Sequence, residues 1–301
     1  MLFKKKLNVW ILQTGEPLIL DKKDARFMRG MNLANKLTEQ GHKVLFFSSD
    51  FYHQKKKHRY NKNKLVKYNS KLSFQLINSP GYSKNISFKR FYDHLTMAYN
   101  LKKIIKKTKL LPDVAFIGYP PIEVSYVMTN WLHKKKIPYL VDIKDQWPHL
   151  IVDVFPKFLR PIIKLLLAPY FFYARQIIKN AASVTSMSQS YINWGLKFAK
   201  KSDNQNNCIL PLTSAKKKIN TKIKKVKKKS NLGFLKKKNY FNILFLGSIS
   251  KAFNFDTVIN CAKNLDNEKI RFLICGEGEI KNQIVEQAKN LKNIFFFGLD
   301  R

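Results

Sequence analysis

What most narrows the fold of this chain is a repeating alternation. Short apolar runs of strand length alternate with segments whose apolar residues recur at helical spacing, joined by loops carrying glycine or proline. Leu7–Gln13 reads as a first buried strand, broken by Gly15-Glu16-Pro17. Residues 24–40 then place Phe27, Met31, Leu33, Ala34 and Leu37 on one helical stripe, Gly41 supplies a C-cap, and Val44–Ser48 reads as a second strand. A strand, a helix and a strand in this order open a doubly wound α/β sheet, in which ligands bind beyond the carboxyl ends of the strands.

The alternation continues. Strands are expected at Leu72–Asn78, Val114–Ile117 (ending at Gly118), Tyr139–Asp142 and Ser183–Thr185, with helices at 88–108, 121–134, 157–180 and 188–199. Residues 213–238 break the pattern with twelve lysines, no acidic residue and a single glycine, which reads as a solvated linker or insertion. A second unit follows, with strand Phe241–Leu246, helix 255–264, strand Arg271–Cys275, helix 279–290 and strand Ile294–Phe297. The organisation expected is therefore α/β with two Rossmann-like domains: 1–212, a lysine-rich linker 213–238, and 239–301.

A hydrophobic share of 45% is enough for a real core, whereas 57 Lys+Arg against 19 Asp+Glu leave a net charge of +38. That field attracts anions of any kind: nucleic acid, anionic lipid headgroups or phosphorylated small molecules. A lysine-rich surface set by genome composition explains it equally well. Cys208, Cys261 and Cys275 show neither CxxC nor Cys/His spacing, so no zinc site or disulfide framework is indicated, and their odd number suits a reducing cytoplasm. Leu7–Leu12 is too short for a signal-peptide core, and no run of 18 apolar residues exists to span a membrane.

Several loops carry candidate chemistry. Gly15 in the first turn and Arg29 on the first helix offer backbone N–H groups and a cation to a phosphate; an ordinary turn with a surface arginine is the alternative. His53, His58 and Arg59 lie in an aromatic and cationic stretch just past the second strand, fit either for an anionic acceptor or for solvent. Asp142 and Asp145 flank a strand end beside Trp147-Pro148, where a carboxylate can accept a sugar hydroxyl, act as a base, or cap a turn. Gly276 and Gly278 follow a strand as in a dinucleotide fingerprint, but Lys281 stands where its third glycine belongs, which disfavours a NAD enzyme. Gly247, Ser248 and Lys251 make a strand-to-helix loop whose small residues and one cation suit a diphosphate.

Taken in order, these pieces resemble glycosyltransferase family four, with the GT-B fold. The resemblance rests on Ile11-Leu12-Gln13-Thr14-Gly15-Glu16-Pro17-Leu18, Met28-Arg29, Leu33-Ala34, Gly41-His42-Lys43-Val44 and Ser48-Ser49-Asp50-Phe51-Tyr52-His53-Gln54. It continues through Asp142-Ile143-Lys144-Asp145-Gln146-Trp147-Pro148, Ala168-Pro169-Tyr170-Phe171, Gly247-Ser248-Ile249-Ser250-Lys251-Ala252-Phe253 and Ile274-Cys275-Gly276-Glu277-Gly278-Glu279. The block from Asp142 to Pro148 points to a bacterial subfamily found among cell-surface polysaccharide and O-antigen genes. The resemblance implies a glycosyltransferase of hexosyltransferase type that retains anomeric configuration and needs no metal or other cofactor. Its partners would be a nucleoside-diphosphate sugar and a lipid-linked or glycan acceptor. Gly247, Ser248 and Lys251 would face the donor diphosphate, Gly276 and Gly278 the nucleotide, and Gly15 and Arg29 would close over the phosphates. Lys251 and Asp145 are the catalytic candidates; His53, His58, Arg59 and Asp142 are the acceptor-side ones.

In the family a pair of glutamates seven residues apart holds the donor sugar and lies further along the second domain than 239–301 reaches, so the second domain is expected to be cut short and the chain as given to be inactive. A non-catalytic remnant that binds acceptor or anionic membrane is a second reading. A basic nucleic-acid-binding protein is a third, weakened by the lack of recognition-helix, zinc-finger or RNP-like signatures. A cytoplasmic location, with peripheral attachment to the inner face of the membrane, follows from the resemblance and the charge. Segment 157–180 bears on this, because its apolar residues alternate with Lys157, Arg160, Lys164, Arg175 and Lys179, and Pro161 and Pro169 break it. Most of those apolar residues are expected to pack within the first domain, the alternative being a bilayer interface.

Overall fold

The computed structural model describes residues 5–21, 26–84, 87–212 and 239–298. The lysine-rich segment 213–238 and the expected start of the first helix at residue 24 lie outside them. The chain divides into two compact units, 1–218 and 219–301.

Unit 1 is built on an eight-stranded sheet. Its strands are β1 (Asn8–Leu12), β2 (Lys43–Ser49), β5 (Lys64–Lys67), β6 (Leu72–Ile77), β7 (Val114–Tyr119), β8 (Tyr139–Ile143), β9 (Ser183–Ser186) and β10 (Cys208–Ile209), in the order β10-β9-β8-β7-β1-β2-β6-β5. All neighbours run parallel except β5, which pairs antiparallel with β6. A parallel sheet buries both faces, which is why β1 reads as a continuous apolar run in which Trp10, Ile11 and Leu12 are all buried. Helix α1 (Arg29–Glu39) covers one face through Met31 and Ala34, which meet Ile11, Phe46 and Phe74. Helices α2 (Phe88–Lys107), α3 (Ile122–Lys134), α6 (Ala168–Lys179) and α7 (Gln189–Ala199) cover the other. Trp10 of β1 stacks on Trp131 of α3 at 5.4 Å between centroids, a contact worth about 0.5–1.5 kcal/mol beyond the area it buries.

Three departures from expectation have physical reasons. Gly118 does not end its strand: β7 runs on to Tyr119, and a Cβ at 118 would lie 2.2 Å from Gln13 Oε1, so the glycine serves close packing across β1. The stretch after β2 is a small hairpin, β3 (Phe51–Tyr52) against β4 (Lys57–His58). Segment 157–180 is a 3₁₀ turn (Lys157–Leu159), α5 (Arg160–Leu166) and α6, preceded by α4 (His149–Asp153); Pro161 and Pro169 each sit in the first turn of a helix, where a missing N–H costs nothing. Against expectation, α5 contains no buried residue.

Unit 2 holds a three-stranded parallel sheet, β11 (Phe241–Leu246), β12 (Ile270–Cys275) and β13 (Ile294–Phe297), with α8 (Phe255–Asn264) and α9 (Lys281–Gln287). Its core gathers Ile249, Phe255, Ala262, Phe272, Ile274 and Ile284.

Candidate functional site

The sheet order of unit 1 reverses beside β1: the chain leaves it for β2 and later returns to β7 on its other side. Such a switch point opens a crevice at the carboxyl ends of the strands. Here it is a cleft of ≈ 220 Å³, walled by the segments that follow β1, β2, β7 and β8 and by one side of α2.

The turn after β1 brings Glu16 into the cleft wall. Its Oε2 accepts from the N–H groups of Gly30 (2.9 Å) and Met31 (3.3 Å), and its Oε1 accepts from Lys144 Nζ (2.8 Å). Thus the first-helix N-terminus, expected to offer its amides to a phosphate, already holds a carboxylate from its own chain, which complements the helix dipole. Gly15 lines the cleft, and its carbonyl accepts from Gln54 Nε2 at 3.0 Å.

Arg29 and Asp142 turn inward. Their side chains are 3% and 0% exposed and meet at 3.0 Å, and Arg29 also donates to the Leu210 carbonyl at 2.9 Å while Thr185 Oγ1 donates to Asp142 at 3.2 Å. Burial pushes the Asp142 carboxyl above the usual range, and Arg29 is the strongest influence pulling it back. The pair ties α1 to β8 and to the residue after β10; neither residue lines the cleft as the acceptor or phosphate contact expected of it.

His58 and Arg59 are likewise spent on the fold. Asp50, fully buried, accepts from the N–H groups of Tyr60 and Asn61 (both 2.8 Å) and pairs with His58 Nδ1 at 3.1 Å. Arg59 forks onto Asp21 at 2.8 and 2.7 Å and donates to the Ser49 carbonyl. These contacts fasten the hairpin and the loop after β1, and they take His58 and Arg59 out of the free surface, while Lys55, Lys56 and Lys57 beside them are exposed. His53 does face the cleft, bonded to Tyr82 Oη at 2.8 Å; burial, then Lys56, Arg90 and His94, hold its pKa below the ordinary value.

Lys144 and Asp145 extend from the end of β8 into the cleft. Asp145 reaches solvent at the rim, yet packing around it pushes its carboxyl above the usual carboxylate range, against the pull of Lys144 and Arg90. Opposite stand Arg90, Asp93 and His94 of α2. Asp93 Oδ1 accepts from the Gly81 N–H at 2.6 Å, and the Arg90 guanidinium lies 5.3 Å from the Trp147 ring and 5.5 Å from the Tyr82 ring. His94 has Glu123 behind it at 3.6 Å. These α2 residues escaped the motif reading. Their signal was present: Arg90, Asp93, His94 and Met97 stand at i, i+3, i+4 and i+7, three titratable groups on one helical stripe.

In unit 2 the five loop residues gather at the carboxyl ends of β11 and β12. The Gly247 N–H donates to the Cys275 carbonyl and the Ile249 N–H to the Glu277 carbonyl, both at 3.0 Å, so loops 247–251 and 276–279 run in contact. Ser248 and Lys251 are exposed there. Gly276 and Gly278 serve this contact directly, since a Cβ on either would come within 1.9 Å of a backbone oxygen of the neighbouring loop. Among the described residues no group of three His, Cys, Asp or Glu is arranged to hold a metal ion, and no helix is long and apolar enough to cross a membrane.

No family model and no curated protein sequence matches the chain. Solved structures do match it in fold. The catalytic domain of starch synthase IV from Arabidopsis thaliana, bound to ADP and acarbose, superposes with a TM-score of 0.58 at 9% identity, covering 99% of this chain and 75% of that one. Sucrose-phosphate synthase from Thermosynechococcus elongatus gives 0.56 at 10% identity, covering 97% and 70%. A lipopolysaccharide outer core galactosyltransferase in its apo form gives 0.50 at 12% identity, covering 97% and 68%. These neighbours are GT-B glycosyltransferases, and the chain shares that α/β fold.

Proposed function

We propose that the protein is a glycosyltransferase that passes a sugar from a nucleoside-diphosphate donor to a lipid-linked or polysaccharide acceptor. The observation that carries this reading is the cleft at the switch point of unit 1. Its wall combines carboxylates and cations with the ring of Tyr82, the combination that suits sugar hydroxyls and the apolar face of a pyranose ring. The GT-B fold over nearly the whole chain supports the same conclusion, as does the bound ADP of one neighbour. On this reading unit 1 holds the acceptor, and Asp145 takes up or orients the proton of the attacking hydroxyl. The loops of unit 2 hold the donor, with Lys251 and the amides around Ser248 meeting the leaving diphosphate. Transfer retains configuration and runs without a metal, fixed cations and amides stabilising the charge that grows on the diphosphate. The family-four, O-antigen-type assignment belongs to this proposal.

The test uses the protein as its host makes it, with a panel of nucleotide sugars and a membrane-lipid or glycan acceptor. Asp145→Asn is expected to lower the transfer rate about 10²–10⁴-fold while nucleotide binding stays unchanged. Its raised carboxyl pKa places the acid limb of the rate profile above the ordinary value of about 3.9. Lys251→Ala should lower kcat about 10²–10³-fold with little change in donor affinity, because its charge matters most as the bond breaks. Full transfer by Asp145→Asn removes that residue from the mechanism, and no transfer from any donor by the unsubstituted protein as its host makes it overturns the proposal.

A further inference from the structure

The structure leaves one part of unit 1 chemically unexplained. Helix α5 and the 3₁₀ turn before it bury none of their residues, although six of the ten residues from Lys157 to Leu166 are Phe, Leu or Ile. Phe158, Leu165 and Leu166 are 77%, 75% and 71% exposed, and Ile162 and Phe172 are more than half exposed. A helix with leucine and isoleucine around its circumference, outside any core, is made for an apolar medium or an apolar partner. Cations accompany it: between His149 and Asn180 stand Lys157, Arg160, Lys164, Arg175 and Lys179 against the single acid Asp153, which Arg160 already pairs at 3.1 Å.

Helix α2 extends this surface to the cleft. Its stripe Arg90, Asp93, His94 and Met97 lines the cleft, while a second stripe, Phe88, Phe91, Tyr92 and Leu95, faces outward and is exposed. The two apolar surfaces join where the Phe91 ring meets that of Tyr170 in α6, 6.0 Å between centroids. Lys89, Lys102 and Lys103 continue the positive charge.

We infer that this face docks on an anionic lipid bilayer, with α5 and the start of α6 lying in the interface and the outward stripe of α2 beside them. Exposed apolar groups ringed by cations match an acyl surface ringed by anionic headgroups, and the positive charge would set two copies of the face against each other. Because one helix carries both the cleft stripe and the bilayer stripe, the cleft opens at headgroup level. A membrane-embedded acceptor then presents its polar end to Asp145 and His94 without leaving the bilayer; this clause rests on the transfer reading above.

Flotation of the full chain with phosphatidylcholine vesicles, with and without phosphatidylglycerol, tests the inference. Wild type is expected to float with the phosphatidylglycerol vesicles and to retain part of that binding at high salt. Combined Phe158→Ser, Leu165→Ser and Leu166→Ser leaves every charge in place. It is expected to keep the thermal midpoint, because the groups removed were already in water, and to weaken vesicle binding by about tenfold or more with loss of the salt-resistant part. Over the emission of the four native tryptophans, measured on wild type, Leu165→Trp should add a component that blue-shifts on binding and is quenched by brominated acyl chains. Equal flotation of the serine variant assigns binding to charge alone and overturns the inference. A Leu165→Trp minus wild-type difference spectrum that stays unshifted does the same. So does a wild type that dimerises in sedimentation while the serine variant stays monomeric. None of these measurements uses a nucleotide sugar, so failure here leaves the transfer proposal standing, and failure of transfer leaves the vesicle result unchanged.

Discussion

Arg29→Ala is expected to cost unit 1 about 3–5 kcal/mol, since removing one partner of a buried pair strands the other charge. For a unit of this size that lowers the thermal midpoint by roughly 6–20 °C. The pair is fully enclosed: Asp142 is 0% exposed and its second oxygen contact is only the Thr185 hydroxyl at 3.2 Å. The loss carries a pH signature. Burial already raises the folded-state pKa of Asp142, and without Arg29 it rises further. A carboxyl with a raised folded pKa contributes its full stability below the unfolded value, about 3.9, and loses it as pH rises through the folded value. The deficit of Arg29→Ala should therefore shrink as pH falls towards 4 and be largest at neutral pH. Thermal melts of wild type and variant across that range measure it, and Arg29→Met with Asp142→Leu should recover most of the loss. An unchanged midpoint would mean that the Arg29–Asp142 pair does not stabilise unit 1.

Gly278→Ala is expected to abolish the cooperative folding of unit 2. The added Cβ would sit 1.9 Å from Ile249 O, 2.4 Å from its carbonyl carbon and 2.7 Å from its N, all backbone atoms of a loop held by the Ile249 N–H to Glu277 bond. Nothing at that position can rotate away, so the loop must separate from its neighbour at a cost of about 3 kcal/mol or more. Gly276→Ala meets the Gly247 carbonyl oxygen at 1.9 Å and should behave alike. Gly247→Ala is the control: its Cβ meets only the ring of Phe245 at 3.2 Å, which can shift. Circular dichroism and amide hydrogen exchange over 239–298 separate the outcomes. If Gly278→Ala folds normally and only loses nucleotide affinity, the glycine serves the ligand's approach rather than loop packing.

The sequence by itself determined the elements and their class. The apolar run at Trp10–Leu12, the stripe from Met31 to Leu37 and the glycine at 41 specify strand, helix and C-cap locally, because side-chain periodicity and backbone freedom depend on near neighbours. In unit 2 strand Phe241–Leu246, helix Phe255–Asn264 and strand Ile294–Phe297 have the bounds read from the residues alone. The position of the cleft at the strand carboxyl ends was legible for the same reason, since alternating strands and helices constrain where a crevice forms. Tertiary structure alone decided which charged residues are available to a ligand. Arg29 and Asp142 lie 113 positions apart and neutralise each other; Arg59 is claimed by Asp21, and Glu16 takes the amides of α1 that a phosphate would need. Such pairings are set by which loops the sheet order brings together, and no local pattern encodes them. The reverse error occurred on the surface. The apolar residues of 157–180 resemble core in composition, and only the tertiary structure, in which no residue of α5 is buried among the described residues, distinguishes a helix made for a core from one left facing out.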